Sequence, residues 1–237
     1  MEYEKLTMWS YRIVHDKQFA PNPFKGVLTL ATCKPLIRKS NKSKPGVWLA
    51  GFAAYSVKDG VRPKKGQELL IYLAKISEVI TMQDYWTKYP LKRAQKCGEE
   101  FEEYYGDNIY DENLHLVNDN HHKDWDFRRD MSGKNVLISD EFYYFAPDSR
   151  LVVPKEFDDL VYKRRGQILV QNNNLIPQFI DYVKSCAKDD FGKQQGILGD
   201  IKRIKYSTGE NCSNNSGVPA LSSGCSVSSQ NHKNSCG

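Results

Sequence analysis

Apolar and polar side chains alternate over residues 8–14 (MWSYRIV), the period of a strand with one buried face. Similar strand-like runs recur at Val27–Pro35, Val47–Val57, Glu68–Ile80 and Asn135–Ala146. Glu68–Ile80 is rich in β-branched and aromatic residues, which favours a long strand over a helix. Between the first two runs, Pro21 and Pro23 bracket Asn22 and predict an extended turn. The basic stretch ending at Gly46 reads as a loop from its Ser, Asn, Pro and Gly content.

Helical spacing appears in two places. Thr81 is placed to cap a helix, with Asp84 three residues on, and residues 91–105 set apolar positions against a charged face. Leu175, Ile176, Phe179, Ile180 and Val183 form an apolar stripe that predicts an amphipathic helix. Residues 106–134 are polar with little periodicity, and so long a stretch in a compact domain is functional or disordered. Its aromatic and histidine content argues against disorder. No internal repeat is visible. The expected fold is α+β: a curved, mostly antiparallel sheet or small β-barrel with flanking helices. One domain is expected over residues 1–206. Residues 207–237, dominated by Ser, Asn and Gly, are expected to be a disordered tail without chemistry.

Composition narrows the class. Of 237 residues, 40% are hydrophobic and 27% charged, which excludes a collagen-like rod, a coiled coil and a wholly disordered chain. Aromatics at 12% supply much of the core filling. The net charge of +5 permits a polyanionic partner without requiring one. The first residues carry acids and no apolar run, and no window approaches a membrane span, so no membrane partner is expected. The six cysteines include no C-x-x-C pair, so they are expected to be reduced thiols in a cytoplasmic chain.

Four stretches carry candidate chemistry. His15 precedes the rigid APNPF turn holding Asn22 and Phe24; the bland alternative is a capped turn beside a surface histidine. In TLATCKP, Lys34 is placed to meet a phosphate, with Arg38 four residues on, and Thr32 is a further candidate substrate-binding residue. Cys33 beside Lys34 is a candidate nucleophile needing a histidine base, among His15, His121 and His122, although a lone cysteine is more often a small buried hydrophobe. YYGDNIY offers Asp107 and Asn108 between Tyr105 and Tyr110, with Gly106 allowing a tight turn. The His121–His122 pair, with Asp119, Asp124 and Asp126, raises a metal site; adjacent side chains on an extended segment diverge, and no metal is expected. In ISDEFYYF, a continuous strand would turn Asp140 and Tyr144 to one face and Tyr143 to the other.

Taken in order, APNPFKGVLTLATCKPLIR, EVITMQDYW, YGDNIY, the His pair and VLISDEFYYF resemble the nucleotide modification associated domain 2 family from about Tyr11 to about Lys184. The strand–turn–strand order of the first 80 residues is also similar to PUA/EVE-type barrels that hold a modified base. The family resemblance implies a nucleotide or nucleic acid as substrate class, in a pathway that modifies bases, with other modification enzymes as partners. The chain departs from the family pattern at Gly46-Val47-Trp48 and at Arg164–Gln167, where the family tends to carry an Asp and a His. Neither the residues nor the resemblance names a cofactor.

On this reading Tyr105, Tyr110, Tyr143 and Tyr144 supply ring faces for a base, Asn22, Asp107, Asn108 and Asp140 its polar edge, and Lys34 and Arg38 meet phosphate. His15, His121 or His122 would be the acid or base, and all these stretches are expected to line one cleft. A non-catalytic reader of modified bases and a small-molecule hydrolase using Cys33 with a histidine stand as alternatives.

Overall fold

The computed structural model describes residues 6–95, 104–119, 121–171 and 174–201. The expected tail and part of the helix expected over 91–105 lie outside them. Among the described residues ten strands divide between two sheets. The larger holds β1 (Thr7–Ile13), β3 (Trp48–Ala53), β4 (Glu68–Lys75), β7 (Glu141–Phe145), β8 (Leu151–Val153), β9 (Gln167–Gln171) and β10 (Gly196–Leu198). Its order is β10-β7-β4-β3-β1-β9, with β8 also paired to β4. The smaller holds β2 (Leu28–Leu30), β5 (Glu78–Thr81) and β6 (Asn135–Ser139) in the order β2-β6-β5. Strand pairing is antiparallel except for β1 with β3 and β10 with β7.

Among the described residues the large sheet runs open from β10 to β9, so the expected small barrel is not formed. The reason lies in two long runs that break. Glu68–Ile80 divides at Ile76–Ser77 into β4 and β5, and Asn135–Ala146 divides at Asp140 into β6 and β7. In each, one half joins each sheet. The first break is clasped to the small sheet by the Ser77 N–H, which donates to the Ile138 carbonyl at 2.8 Å. A chain that leaves one ladder for another cannot continue a single closing sheet.

Helices cover the faces. The stripe on α4 (Leu175–Phe191) puts Ile176, Phe179, Ile180 and Val183 against Phe52, Leu73, Tyr143 and Phe145 of the large sheet. The opposite face of that sheet packs Tyr11, Leu49, Ile71, Tyr72 and Tyr144 against Leu28, Ile37 and Leu137. A third cluster, with Phe19, Phe24, Tyr85, Tyr105, Tyr110 and Ile138, lies over the small sheet. In α2 (Met82–Lys88), the Thr81 hydroxyl accepts from the Asp84 N–H at 3.0 Å, as the spacing predicts. Residues 90–92 form a 3-10 turn instead of starting a longer α-helix. Two further short helices are described: α1 (Pro35–Arg38) after β2, and α3 (Phe127–Met131) before β6.

Candidate functional site

A cleft of about 850 Å³ opens beside the ends of β1 and β3. Arg12, His15, Lys34, Lys163, Arg164 and Arg165 line it, with Cys33 and the ring of Tyr55, which is 52% exposed. Arg12 is fixed from three sides: Nε donates to the Tyr162 carbonyl at 2.8 Å, and Nη1 to the Ala53 carbonyl at 3.0 Å and to Glu68 at 2.5 Å. Its Nη2 has no hydrogen-bond partner. Lys34 donates to the Arg12 carbonyl at 3.0 Å and sits 4.4 Å from the centre of the Tyr11 ring. Burial lowers its pKa, opposed by the charge of Cys33. His15 is exposed at the rim, 3.9 Å from Asp59.

Cys33 occupies the turn between β2 and α1, where two consecutive non-glycine residues take positive φ: 55° at Cys33 and 39° at Lys34. Such backbone is costly and persists only where its surroundings impose it. Arg38 does much of the imposing. Its guanidinium donates to the carbonyls of Ala31, Cys33, Asp130 and Asn135. The strained turn is thereby tied to α3 and β6.

Behind Cys33 lies a chain of three groups. The thiol sulfur is 4.0 Å from His122 Nε2, and His122 Nδ1 is 2.5 Å from Asp130 Oδ2. Asp130 also accepts from the Tyr110 hydroxyl at 3.0 Å and from the Cys33 N–H at 3.4 Å. Burial alone would lower the His122 pKa, but the hydrogen bonds and charges of Asp130 and Cys33 win and raise it to about 9. Its neighbour goes the other way. His121 stacks on Tyr105 at 4.5 Å, and burial, Lys17 and His122 lower its pKa to about 4. The two rings therefore serve different surroundings.

The other expected site residues do not converge on the cleft. Asn22 and Asp107 do meet, but inside a fully buried brace. Lys92 donates to the Asn22 side chain at 2.6 Å and to the carbonyls of Asn22 and Val27; Asp107 accepts from Tyr85 at 2.6 Å and Thr29 at 2.7 Å. Burial lowers the Lys92 pKa to about 7 and raises that of Asp107. Asn108 holds the Tyr85 and Tyr89 carbonyls near the end of α2. Gly106 serves this brace by close approach, because a Cβ there would strike the backbone of residues 92–94.

Phe24, Tyr105 and Tyr143 are core side chains, and Tyr144 is buried with its hydroxyl on Asp16 at 2.7 Å. None of these rings is free to stack on a base. Arg38 is wholly buried and its donors face backbone carbonyls, so it does not meet phosphate. Asp140 is exposed at the break between β6 and β7, where it accepts from the Glu141 N–H; the kink there overrides the simple alternation expected of one strand. Thr32 is buried beside Cys33 with its hydroxyl unpartnered.

Asp130, Arg12, Tyr55 and the Arg164–Arg165 pair were not singled out by sequence as site residues. The adjacent arginines before Gly166 were the one legible signal among them.

The model of the nucleotide modification associated domain 2 matches residues 5–197. The chain belongs to this family. No curated protein and no solved structure matches it. The matched span contains every part of the family domain described above: the cleft, the Cys33–His122–Asp130 chain and the buried Asn22–Lys92–Asp107 brace. Among the described residues no helix is long and apolar enough to cross a membrane, and Cys33 and Cys186 are free thiols.

Proposed function

We propose that the cleft binds a nucleotide, free or as a unit of DNA, and that the domain serves a reaction that modifies it. The observation that carries this reading is the lining. Five side chains of Lys or Arg and one His face one concavity, and no carboxylate is among its lining residues. Such a lining holds a positive potential that attracts phosphate. Arg12 adds one guanidinium nitrogen, Nη2, with no hydrogen-bond partner in the protein, while its other donors hold Tyr162, Ala53 and Glu68. Tyr55 offers an exposed ring at the same wall for a base. A family described as associated with nucleotide modification agrees with that chemistry. A modification enzyme is favoured over a non-catalytic reader because a thiol and an imidazole adjoin the binding surface.

The test is binding of a labelled deoxynucleotide and of a short single-stranded oligonucleotide, followed by fluorescence anisotropy over a salt series. The expected result is saturable binding that weakens with salt. Arg164→Ala with Arg165→Ala is expected to weaken it by roughly tenfold and flatten the salt slope. Binding that ignores both changes overturns the proposal.

A further inference from the structure

We propose that Cys33 and His122 are a catalytic nucleophile and base, oriented by Asp130, and that they carry out acyl transfer on an ester or amide borne by, or delivered to, the bound nucleotide. The choice of substrate rests on the cleft reading; the reactivity of the thiol does not.

Three independent features converge on this site. A thiol, an imidazole and a carboxylate stand in the order that nucleophile, base and orienting group require, the last two joined at 2.5 Å. A sulfur–nitrogen separation of 4.0 Å is the loose geometry of such a pair before substrate binds. The nucleophile sits on a strained strand-to-helix turn, a device that exposes a side chain at the mouth of a site. And Cys33 lines the cleft, whereas His122 and Asp130 are buried behind it. A purely structural histidine–aspartate pair needs neither the strain nor the opening.

The chemistry balances without an oxidant or a metal. His122 Nε2, the ring nitrogen nearest the sulfur, takes the Cys33 proton. The sulfur attacks the carbonyl carbon, an S–C bond forms, and the carbonyl π pair moves to oxygen. Collapse breaks the C–O or C–N bond, and the leaving alkoxide or amine takes the proton from His122 Nε2. Water or an amine then attacks the thioester, gives its proton to His122, and the thiolate departs. Asp130 holds the Nδ1–H of His122 throughout and acts as a positioning residue.

The pH dependence is set by defined neighbours. His122 faces Asp130, Cys33 and His121; Cys33 faces Lys34, Arg38 and Tyr11.

The experiment uses the full reduced chain with no nucleotide present. Iodoacetamide labelling is followed by peptide mass mapping across a pH series, and 4-nitrophenyl acetate is used as acyl donor. Cys33 is expected to be alkylated at least tenfold faster than Cys186 near pH 6.5, and to carry the acetyl adduct. Cys33→Ser should abolish the adduct. His122→Gln and Asp130→Asn should slow alkylation at least tenfold and move its pH midpoint up toward that of an ordinary thiol, about 8.5.

Cys33 reacting no faster than Cys186 overturns the proposal, as does an unchanged rate and midpoint in a folded His122→Gln. The comparison of Cys33 with Cys186 needs only the unaltered protein, so a variant that fails to fold does not remove the test. Adding a deoxynucleotide should protect Cys33. A fast thiol without protection would refute the cleft reading and leave the nucleophile standing, whereas protection of a sluggish thiol would do the reverse.

Discussion

At the scale of single residues, the two adjacent histidines make opposite demands on pH. His122 has its pKa raised from 6.5 to about 9. A group held charged by the fold stabilises it fully below its unfolded pKa, and that contribution is lost as pH rises toward the folded value. His121 is pushed down to about 4, so its contribution is present above 6.5 and is lost as pH falls toward 4. Between them they favour the fold near pH 6.5. For His122 the linked free energy is on the order of 3 kcal/mol. Urea unfolding followed by tryptophan fluorescence is therefore expected to show stability falling between pH 6.5 and 9, and His122→Gln to flatten that limb while leaving the acid limb in place. An equal fall in the variant would show that His122 does not carry it. His122 was legible as a candidate from its chemistry alone. Its partner was not, because Asp130 lies in an aperiodic polar stretch where spacing says nothing about who meets whom.

At the scale of elements, local pattern was a good guide where the ladder continues and a poor one where it breaks. The runs that became β1 and β3, the cap on α2 and the stripe on α4 all follow from period and capping. The breaks at Ile76–Ser77 and Asp140 carry no proline and no glycine, and a single Ser or a Ser-Asp pair is only a weak local turn signal. They exist because two sheets compete for one chain. The site depends on similar long-range ties. Arg38 joins the Cys33 turn to Asp130 and Asn135, and a Cβ at Gly133 would collide with its guanidinium. Gly133→Ala is thus expected to displace Arg38, lower stability by about 1–3 kcal/mol, and slow alkylation of Cys33. Melting temperature and labelling rate measure the two effects. If both are unchanged, Arg38 is not what holds the turn.

At the scale of the whole described domain, the two sheets are not separable bodies. The chain passes between them four times, from β1 into β2, β2 into β3, β4 into β5 and β6 into β7, and the second cluster packs large-sheet residues such as Tyr72 and Tyr144 against Leu28 and Leu137 of the small one. This accounts for the fate of the expected cleft. The APNPF and YGDNIY segments, expected to line an open cleft with the other stretches, meet as a buried brace over the small sheet, because an aromatic-rich segment gains more by covering a sheet face than by lining water. The open site forms one layer away, where Cys33 leaves the small sheet beside the ends of β1 and β3. A domain built this way should open as a unit. Phe179 of α4 is fully buried against Phe52 and Phe157 and touches no part of the small sheet's core cluster. Phe179→Ala removes about 3–5 kcal/mol of stability through the cavity it leaves. If the layers are coupled, hydrogen exchange should quicken by the same factor in peptides from α4 and in peptides covering β6, although β6 lies in the other sheet. Faster exchange confined to α4 and the large sheet would mean that the small sheet, with the Cys33 turn, holds its structure independently, and the strand crossings would then be hinges between two folding units rather than the joints of one.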